Sequence, residues 1–229
     1  STLHPELQER FPEIRSFNAL ATDGSGYRGK VDFSHKGFHA MIYRPGYPVV
    51  FVDPLYLNDQ SIYVAYEKQS FQTDKVFECS VDAGDKYQIP DGAKADYNSC
   101  EFRTYRIAIS TTGEYAQFHG GTVADALAAI NTTMNRVNGL YERDFGVTME
   151  LIANTDDVIY TNPSTDPYSN GDTFAMINQV QSVINSVIGS SNYDIGHVFG
   201  TDSGGLAGLG VTCTNSSKAR GVTGSGFPV

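Results

Sequence analysis

The histidines are the residues of this sequence most able to bind a metal, but their spacing does not favour a metal site. The five are His4, His35, His39, His119 and His197. Only His35 and His39 have the i, i+4 spacing that places two imidazoles on one face of a helix. Between them lie Lys36, where a general-base glutamate would be needed, and Gly37. We therefore interpret this segment as a turn between strands and expect no metal ligands among these histidines.

A glycine-rich segment near the end of the sequence is the second candidate for functional chemistry. Residues 194–199 are typical of a buried strand, and residues 206–211 of a second, exposed strand. Glycine lets another backbone approach closely, which suits an edge that binds an extended peptide through main-chain hydrogen bonds. A flexible loop without a ligand is the alternative. The candidate peptide-binding residues are Gly204, Gly205, Leu206, Ala207, Gly208, Leu209 and Gly210.

Composition excludes several function classes. The 229 residues are 40% hydrophobic and 18% charged, as in ordinary globular proteins. With 16 basic and 26 acidic residues the net charge is −10, which argues against nucleic-acid or anionic-membrane partners. No apolar run is long enough to span a membrane. Abundant polar residues and two glycosylation sequons, at Asn131 and Asn215, fit a secreted protein.

Hydrophobic patterning divides the chain into three parts. Residues 1–81 contain four runs of alternating polar and apolar residues, which predict a β-rich domain of antiparallel hairpins. Residues 82–101 are polar, carry glycine and proline, and predict a linker of the kind that processing proteases cut. Residues 102–229 change to an α/β pattern.

Two helices are predicted in this α/β part. The first begins at Thr122, which forms a capping box with Asp125. The second begins after Asp172 and covers residues 173–188. Strands alternate with these helices, so we expect a mostly parallel sheet with both helices on one face. The strand at 206–211 follows a short loop and is therefore predicted to be an antiparallel edge strand.

The long loop at residues 156–172 is rich in oxygen ligands. A bound calcium ion is a candidate there, although turns of Asn, Asp, Ser and Gly need no ion and no EF-hand spacing is present.

Two segments carry a resemblance to a known family. They are FRTYRIAISTTGEYAQFHGGTVADAL and DIGHVFGTDSGGLAGLGVTC followed by KARGVTG. Both resemble the bacterial branch of the reprolysin (adamalysin-like) zinc metalloproteases, which belong to the metzincins. The resemblance implies a metzincin-like upper subdomain from a secreted zinc endopeptidase that cleaves proteins or peptides. The family motif H-E-x-x-H-x-x-G-x-x-H is absent from these residues, so we expect the chain to end before the zinc helix and to be inactive alone.

The same resemblance, more loosely, covers the first 81 residues. FPEIRSF and KGFHAMI resemble pieces of the family's inhibitory pro-region. This implies that Cys79 is a candidate cysteine switch for the zinc ion, although a structural cysteine at a strand end is the alternative. Cys213 lies where reprolysins carry a disulfide-bonded cysteine, with Cys100 or a residue outside this sequence as its partner.

Two further expectations remain open. Without the zinc helix one sheet face is left apolar, and the β-rich domain or a second copy of the chain would cover it.

A non-catalytic α/β adhesion or ligand-binding module is the alternative function. An integrin-like metal site is disfavoured, because ISTTGEY lacks the aspartate that it requires after the first strand. A nucleotide-binding enzyme is disfavoured as well, because GGLAGLG has the wrong glycine spacing.

Overall fold

The described part of the chain forms two β-sheets and four α-helices. The computed structural model describes residues 1–72, 79–82, 101–201 and 204–226. The helices are α1 (Pro5–Arg10), α2 (Gly113–His119), α3 (Val123–Phe145) and α4 (Thr173–Val187), with 3-10 turns at Lys68–Ser70, Thr155–Val158 and Ser190–Asn192. The strands are β1 (Arg15–Leu20), β2 (Arg28–Ser34), β3 (Gly37–Arg44), β4 (Tyr47–Tyr56), β5 (Asp59–Glu67), β6 (Cys79–Asp82), β7 (Arg103–Thr111), β8 (Val147–Leu151), β9 (Ile195–Gly200), β10 (Gly204–Gly208) and β11 (Gly221–Gly224).

The first sheet is the antiparallel meander that the alternating runs predicted. Its order is β1-β2-β3-β4-β5. His35 and Lys36 form the turn between β2 and β3, where Ser34 pairs with Gly37. The interpretation of this segment as a turn is therefore confirmed. One face of the meander packs on α3, and the other presents half-exposed rings such as Phe17 and Phe33.

The second sheet has six described strands in the order β6-β10-β11-β9-β7-β8. Its last four are parallel to one another, whereas β10 is antiparallel to β11 and parallel to β6. The predicted antiparallel strand is present, but its predicted place at the sheet edge is wrong. The cause is long-range pairing: β6 extends the sheet beyond β10, and β11 inserts between β9 and β10. The periodicity of apolar residues in the sequence indicates neither the pairing of β6 with β10 nor the insertion of β11.

The two long helices pack on opposite faces of this sheet, so the prediction of both on one face is wrong. Helix α3 shares a core with Ile107 and Ile109 of β7. Helix α4 shares a separate core with Ala108 of β7 and Val198 of β9. The crossover from β7 to β8 and the return from β8 to β9 run in opposite directions across the sheet. Because both crossover connections are right-handed, connections that run in opposite directions across the sheet place their helices on opposite faces.

The helix starts agree with the sequence. Thr122 and Asp125 form the predicted capping box, and the side chain of Asp172 accepts a hydrogen bond from the backbone N–H of Ala175. Asn131 lies fully buried within α3, so this sequon is not accessible for glycosylation in the folded chain. None of the described helices combines the length and apolar character needed to cross a bilayer.

Candidate functional site

A cleft of about 1210 Å³ lies between the two sheets, along one side of α3. Its floor is the face of the six-stranded sheet that carries Ile107, Ile109, Ile195, His197 and Phe199. Helix α3 supplies one wall, with Ala129, Thr133, Val137 and Leu140. The meander supplies the facing wall, with Met41, Phe51 and Tyr66. This face of the sheet is apolar, but α3 as well as the meander covers part of it, whereas the sequence predicted both helices on the other face.

Of the three histidines that line this cleft, His119 and His197 are neutral at pH 7. The Nε2 atom of His197 lies 2.9 Å from the hydroxyl of Thr223. Its ring packs directly on the backbone of Gly221, where a Cβ would come within 2.3 Å of Nδ1. Burial lowers the pKa of His197 to about 4. Burial, together with the charge of Lys36, lowers the pKa of His119 to about 4 as well.

The described residues do not fit a zinc centre. They contain no group of three or more His, Cys, Asp or Glu side chains that could hold a metal. The ring of His35 lies 2.9 Å from the carboxylate of Asp125, and the ring of His39 lies 2.6 Å from the carboxylate of Asp53. His4 accepts a hydrogen bond at the start of α1. No catalytic step through zinc can therefore be assigned to these side chains.

Charged clusters hold the meander against α3 at the mouth of the cleft. Asp53 of β4 contacts Arg136 of α3 at 2.5 Å and His39 of β3 at 2.6 Å, and accepts a hydrogen bond from Tyr66. Burial opposes ionisation of Asp53, but these partners outweigh burial and lower its pKa. The sequence analysis did not identify Arg136. The available signal was the position of Arg136 on α3, next to the inward-facing Val137.

A second cluster joins the β2–β3 turn to the start of α3. The amine of Lys36 lies 2.6 Å from the carboxylate of Asp125, which also accepts from Thr122. Burial opposes ionisation here too, yet these hydrogen bonds hold the pKa of Asp125 well below its usual range.

The predicted peptide-binding strand has both of its edges paired. In β10, Gly205 is antiparallel to Thr223 of β11 on one side and parallel to Cys79 of β6 on the other. Leu206 points into the core beside α4, and Ala207 lines the cleft. The remaining predicted residues, Leu209 and Gly210, follow the end of the strand. The edge that could accept a peptide is therefore occupied by a strand from the N-terminal part of the same chain.

A comparison with protein-family models identifies the family of the domain that contains this sheet. A protein-family model described as Metallo-peptidase family M12B Reprolysin-like matches residues 101–228, which is more than half of the chain. The chain belongs to this reprolysin-like metallopeptidase family. The match covers β7 to β11 and excludes the meander. A search of curated proteins finds no match.

The cysteine predictions fall partly outside the described residues. Cys213 is exposed at the surface of the reprolysin-like domain, with a backbone φ of 62°. Cys100 lies outside the described residues, so the pairing of the two stays a prediction. Cys79 lies in β6, which is described by its strand pairing and not by its side chains.

Calcium in the long loop of the reprolysin-like domain is not supported. Asp166 accepts hydrogen bonds from the backbone N–H groups of Gly113 and Tyr168. Asp156 binds the guanidinium of Arg10, and Asp172 caps α4. These carboxylates serve as turn and helix caps and as an ion-pair partner, which explains the acidic character of the loop without an ion.

Proposed function

We propose that this chain is part of a secreted zinc endopeptidase, made as an inactive precursor. Residues 101–228 would bind the peptide substrate beside the cleft, and the preceding residues would form the inhibitory pro-region. The observation that carries this proposal is the family match over the domain that contains β10 and forms the floor of the cleft.

The apolar floor of the cleft supports an amphipathic helix as its occupant, because such a helix buries one apolar face. The cleft measures about 1210 Å³ and has an apolar floor. We propose that it receives the helix carrying H-E-x-x-H, which is not among the 229 residues of this sequence. The zinc ion on that helix would activate the water that hydrolyses the peptide bond.

The position of β10 supports substrate binding by strand addition. An extended peptide gains affinity from main-chain hydrogen bonds to an open strand edge, and specificity from pockets for alternate side chains. In the precursor, β6 occupies that edge over four residue pairs, from Gly205–Cys79 to Gly208–Asp82. Since β6 and a substrate would compete for the same backbone groups, the N-terminal part blocks the site.

Cys79 is the residue that we propose as the zinc ligand of the precursor. It lies at the beginning of β6, opposite Gly205, which puts it on the strand that blocks the substrate edge. A thiolate binds zinc strongly, and zinc lowers the pKa of the thiol. Cys100 and Cys213 would form a disulfide, which agrees with the oxidising environment of a secreted protein.

The test of the main proposal uses a longer polypeptide that continues through the H-E-x-x-H motif. We expect about one zinc ion per chain by elemental analysis, and cleavage of an unfolded protein substrate after the pro-region is cut. Replacing the motif glutamate by glutamine should abolish cleavage and leave the zinc content unchanged. A purified, folded longer chain that binds no zinc would overturn the proposal.

The zymogen role of Cys79 is tested in the same longer chain. Cys79→Ser should raise the activity of the uncut precursor by at least about tenfold, because a hydroxyl is a poor zinc ligand compared with a thiolate. Leu20→Ala changes an exposed side chain of β1 and serves as the control. Equal activity of the two uncut variants would contradict the cysteine switch.

A further inference from the structure

The first fourteen residues contribute to the core of the reprolysin-like domain, although the family match begins at residue 101. Leu3, Leu7 and Ile14 are each 0–1% exposed. They belong to the same apolar cluster as Ile130 of α3 and Leu151 of β8. These three side chains complete the core between α3 and β8.

Main-chain hydrogen bonds hold the same segment at the free edge of β8. The backbone N–H of His4 donates to the carbonyl of Leu151 at 3.0 Å, and the N–H of Leu151 donates to the carbonyl of Thr2 at 2.8 Å. Leu3 thus forms a parallel bridge with Leu151 and extends the sheet beyond β8. The segment behaves as an additional strand of the domain.

Helix α1 carries a further contact beyond this edge. The guanidinium of Arg10 binds both carboxylate oxygens of Asp156, at 2.6 and 3.1 Å, and the carbonyl of Ala153 at 2.6 Å. A bidentate contact of this kind fixes orientation as well as position.

The meander adds a second, more polar attachment on α3. The amine of Lys30, a residue only 8% exposed, lies 2.7 Å from the carboxylate of Glu142. Asp32 accepts a hydrogen bond from Thr132 at 2.5 Å and another from Asn135 at 3.3 Å. The N-terminal part is therefore held at the β8 edge by apolar burial and on α3 by charged and polar pairs.

We propose that residues 1–14 are a permanent structural part of the reprolysin-like domain, and that cutting the chain within residues 83–100 yields a stable two-chain complex. This assigns the first helix and its flanks to the domain, in place of a removable region that covers residues 1–81. The inference concerns how the chain holds together and does not depend on zinc chemistry. Because β6 stays on the N-terminal fragment and pairs with β10, activity would require a further cut between residue 14 and β6 that removes this strand. The size of the cut product and the zinc content of the longer chain therefore test the two proposals separately.

The experiment cuts the folded chain at a site for a specific protease placed within residues 83–100. Size-exclusion chromatography in 1 M NaCl then reports the size of the product. High salt weakens the charged pairs and favours apolar burial. We expect both fragments to elute together at the size of the 24.9 kDa chain and to separate only in denaturant. Separate elution under native conditions would overturn the proposal.

Two matched variants test whether the burial of residues 1–14 holds the cut complex together. Leu7→Ala removes a side chain that is fully buried, and Leu20→Ala removes one that is 71% exposed in β1. We expect Leu7→Ala to raise the dissociation rate of the cut complex by about 30-fold or more, from the cost of a large-to-small core substitution. Leu20→Ala should leave this rate unchanged. The near-ultraviolet circular dichroism of the uncut chains checks that both variants fold, and equal dissociation rates would contradict the role of residues 1–14.

Discussion

Gly139 of α3 lies directly beneath Met41 of β3, and a Cβ built on Gly139 would come within 2.7 Å of the Met41 methyl group. The side chains of Lys30 and Tyr43 lie almost as near, at 2.9 and 3.0 Å from the same point. Glycine normally weakens the middle of a helix. Its presence here allows the meander to approach the helix backbone and form the charged contacts at the mouth of the cleft.

Gly139→Leu should therefore displace the meander from α3. We expect a loss of about 1 to 3 kcal/mol in the free energy of unfolding, as for other overpacked contacts, even though leucine is the better helix former. Urea denaturation measures this loss. Asp144→Leu, at an exposed position of the same helix, is the control and should change stability by less than about 0.5 kcal/mol. Equal stabilities of the two variants would show that the contact at Gly139 is not tight.

Asp53→Asn should destabilise the chain by about 2 to 4 kcal/mol, because it leaves the guanidinium of Arg136 partly buried without its charge partner. The side chains of this pair are 11% and 20% exposed. The control is Glu101→Gln, which breaks an ion pair with Arg103 whose side chains are 70% and 59% exposed. Such a surface pair contributes about 0 to 1 kcal/mol. Thermal or urea unfolding compares the two, and a smaller effect at Asp53 would contradict this assignment.

The pH dependence of stability should report the buried histidines. Burial lowers the pKa of both His119 and His197 to about 4 in the folded chain, compared with an ordinary value of 6.5. The unfolded chain therefore takes up protons first as the pH falls, and stability is lost between about pH 6.5 and pH 4. Each histidine contributes a loss on the order of 3 kcal/mol over this range.

Substitution separates this effect from other acid-sensitive groups. His119→Phe should reduce the loss of stability between pH 6.5 and pH 4.5, because no imidazole remains to be protonated at that position. Tyr115→Phe changes the ring that packs on His119 without removing a histidine, so the pH dependence should persist. Urea midpoints at several pH values provide the measurement. An unchanged slope in His119→Phe would contradict the buried, neutral state of this histidine.

Gly196→Ala tests the packing of β9 on the side of α4. A Cβ at Gly196 would meet the Cβ of Ala219 at 2.3 Å and a methyl of Ile184 at 3.0 Å. We expect a loss of about 1 to 3 kcal/mol, because the neighbouring segment must shift. Gly226→Ala is the control, since the nearest atom to its Cβ would be the carbonyl oxygen of Thr201 at 3.8 Å. Differential scanning calorimetry should find a lower melting temperature for Gly196→Ala alone.

The local elements were predictable because their signals are local. The capping box at Thr122 and Asp125, the N-cap at Asp172 and the turn at His35 each depend on a few neighbouring residues. The family was identified from two sequence segments, both of which lie within the matched residues 101–228.

The cleft and its surroundings could not be predicted in the same way. Arg136 and Asp53 are separated by 83 positions, and neither position alone indicates the pair that they form. Leu3 and Leu7 occur in a short segment between prolines and charges, so its burial in the core between α3 and β8 has no local signal.

The sequence by itself determined the antiparallel meander, the beginnings of α3 and α4, and the peptidase family to which the chain belongs, since side-chain periodicity and caps act within a few residues. The tertiary structure alone decided that α3 and α4 lie on opposite faces, that β11 separates β9 from β10, and that β6 pairs with β10. These outcomes depend on the direction of each crossover and on backbone pairing between distant residues. The crossover direction and the strand pairing are fixed only when the whole sheet assembles.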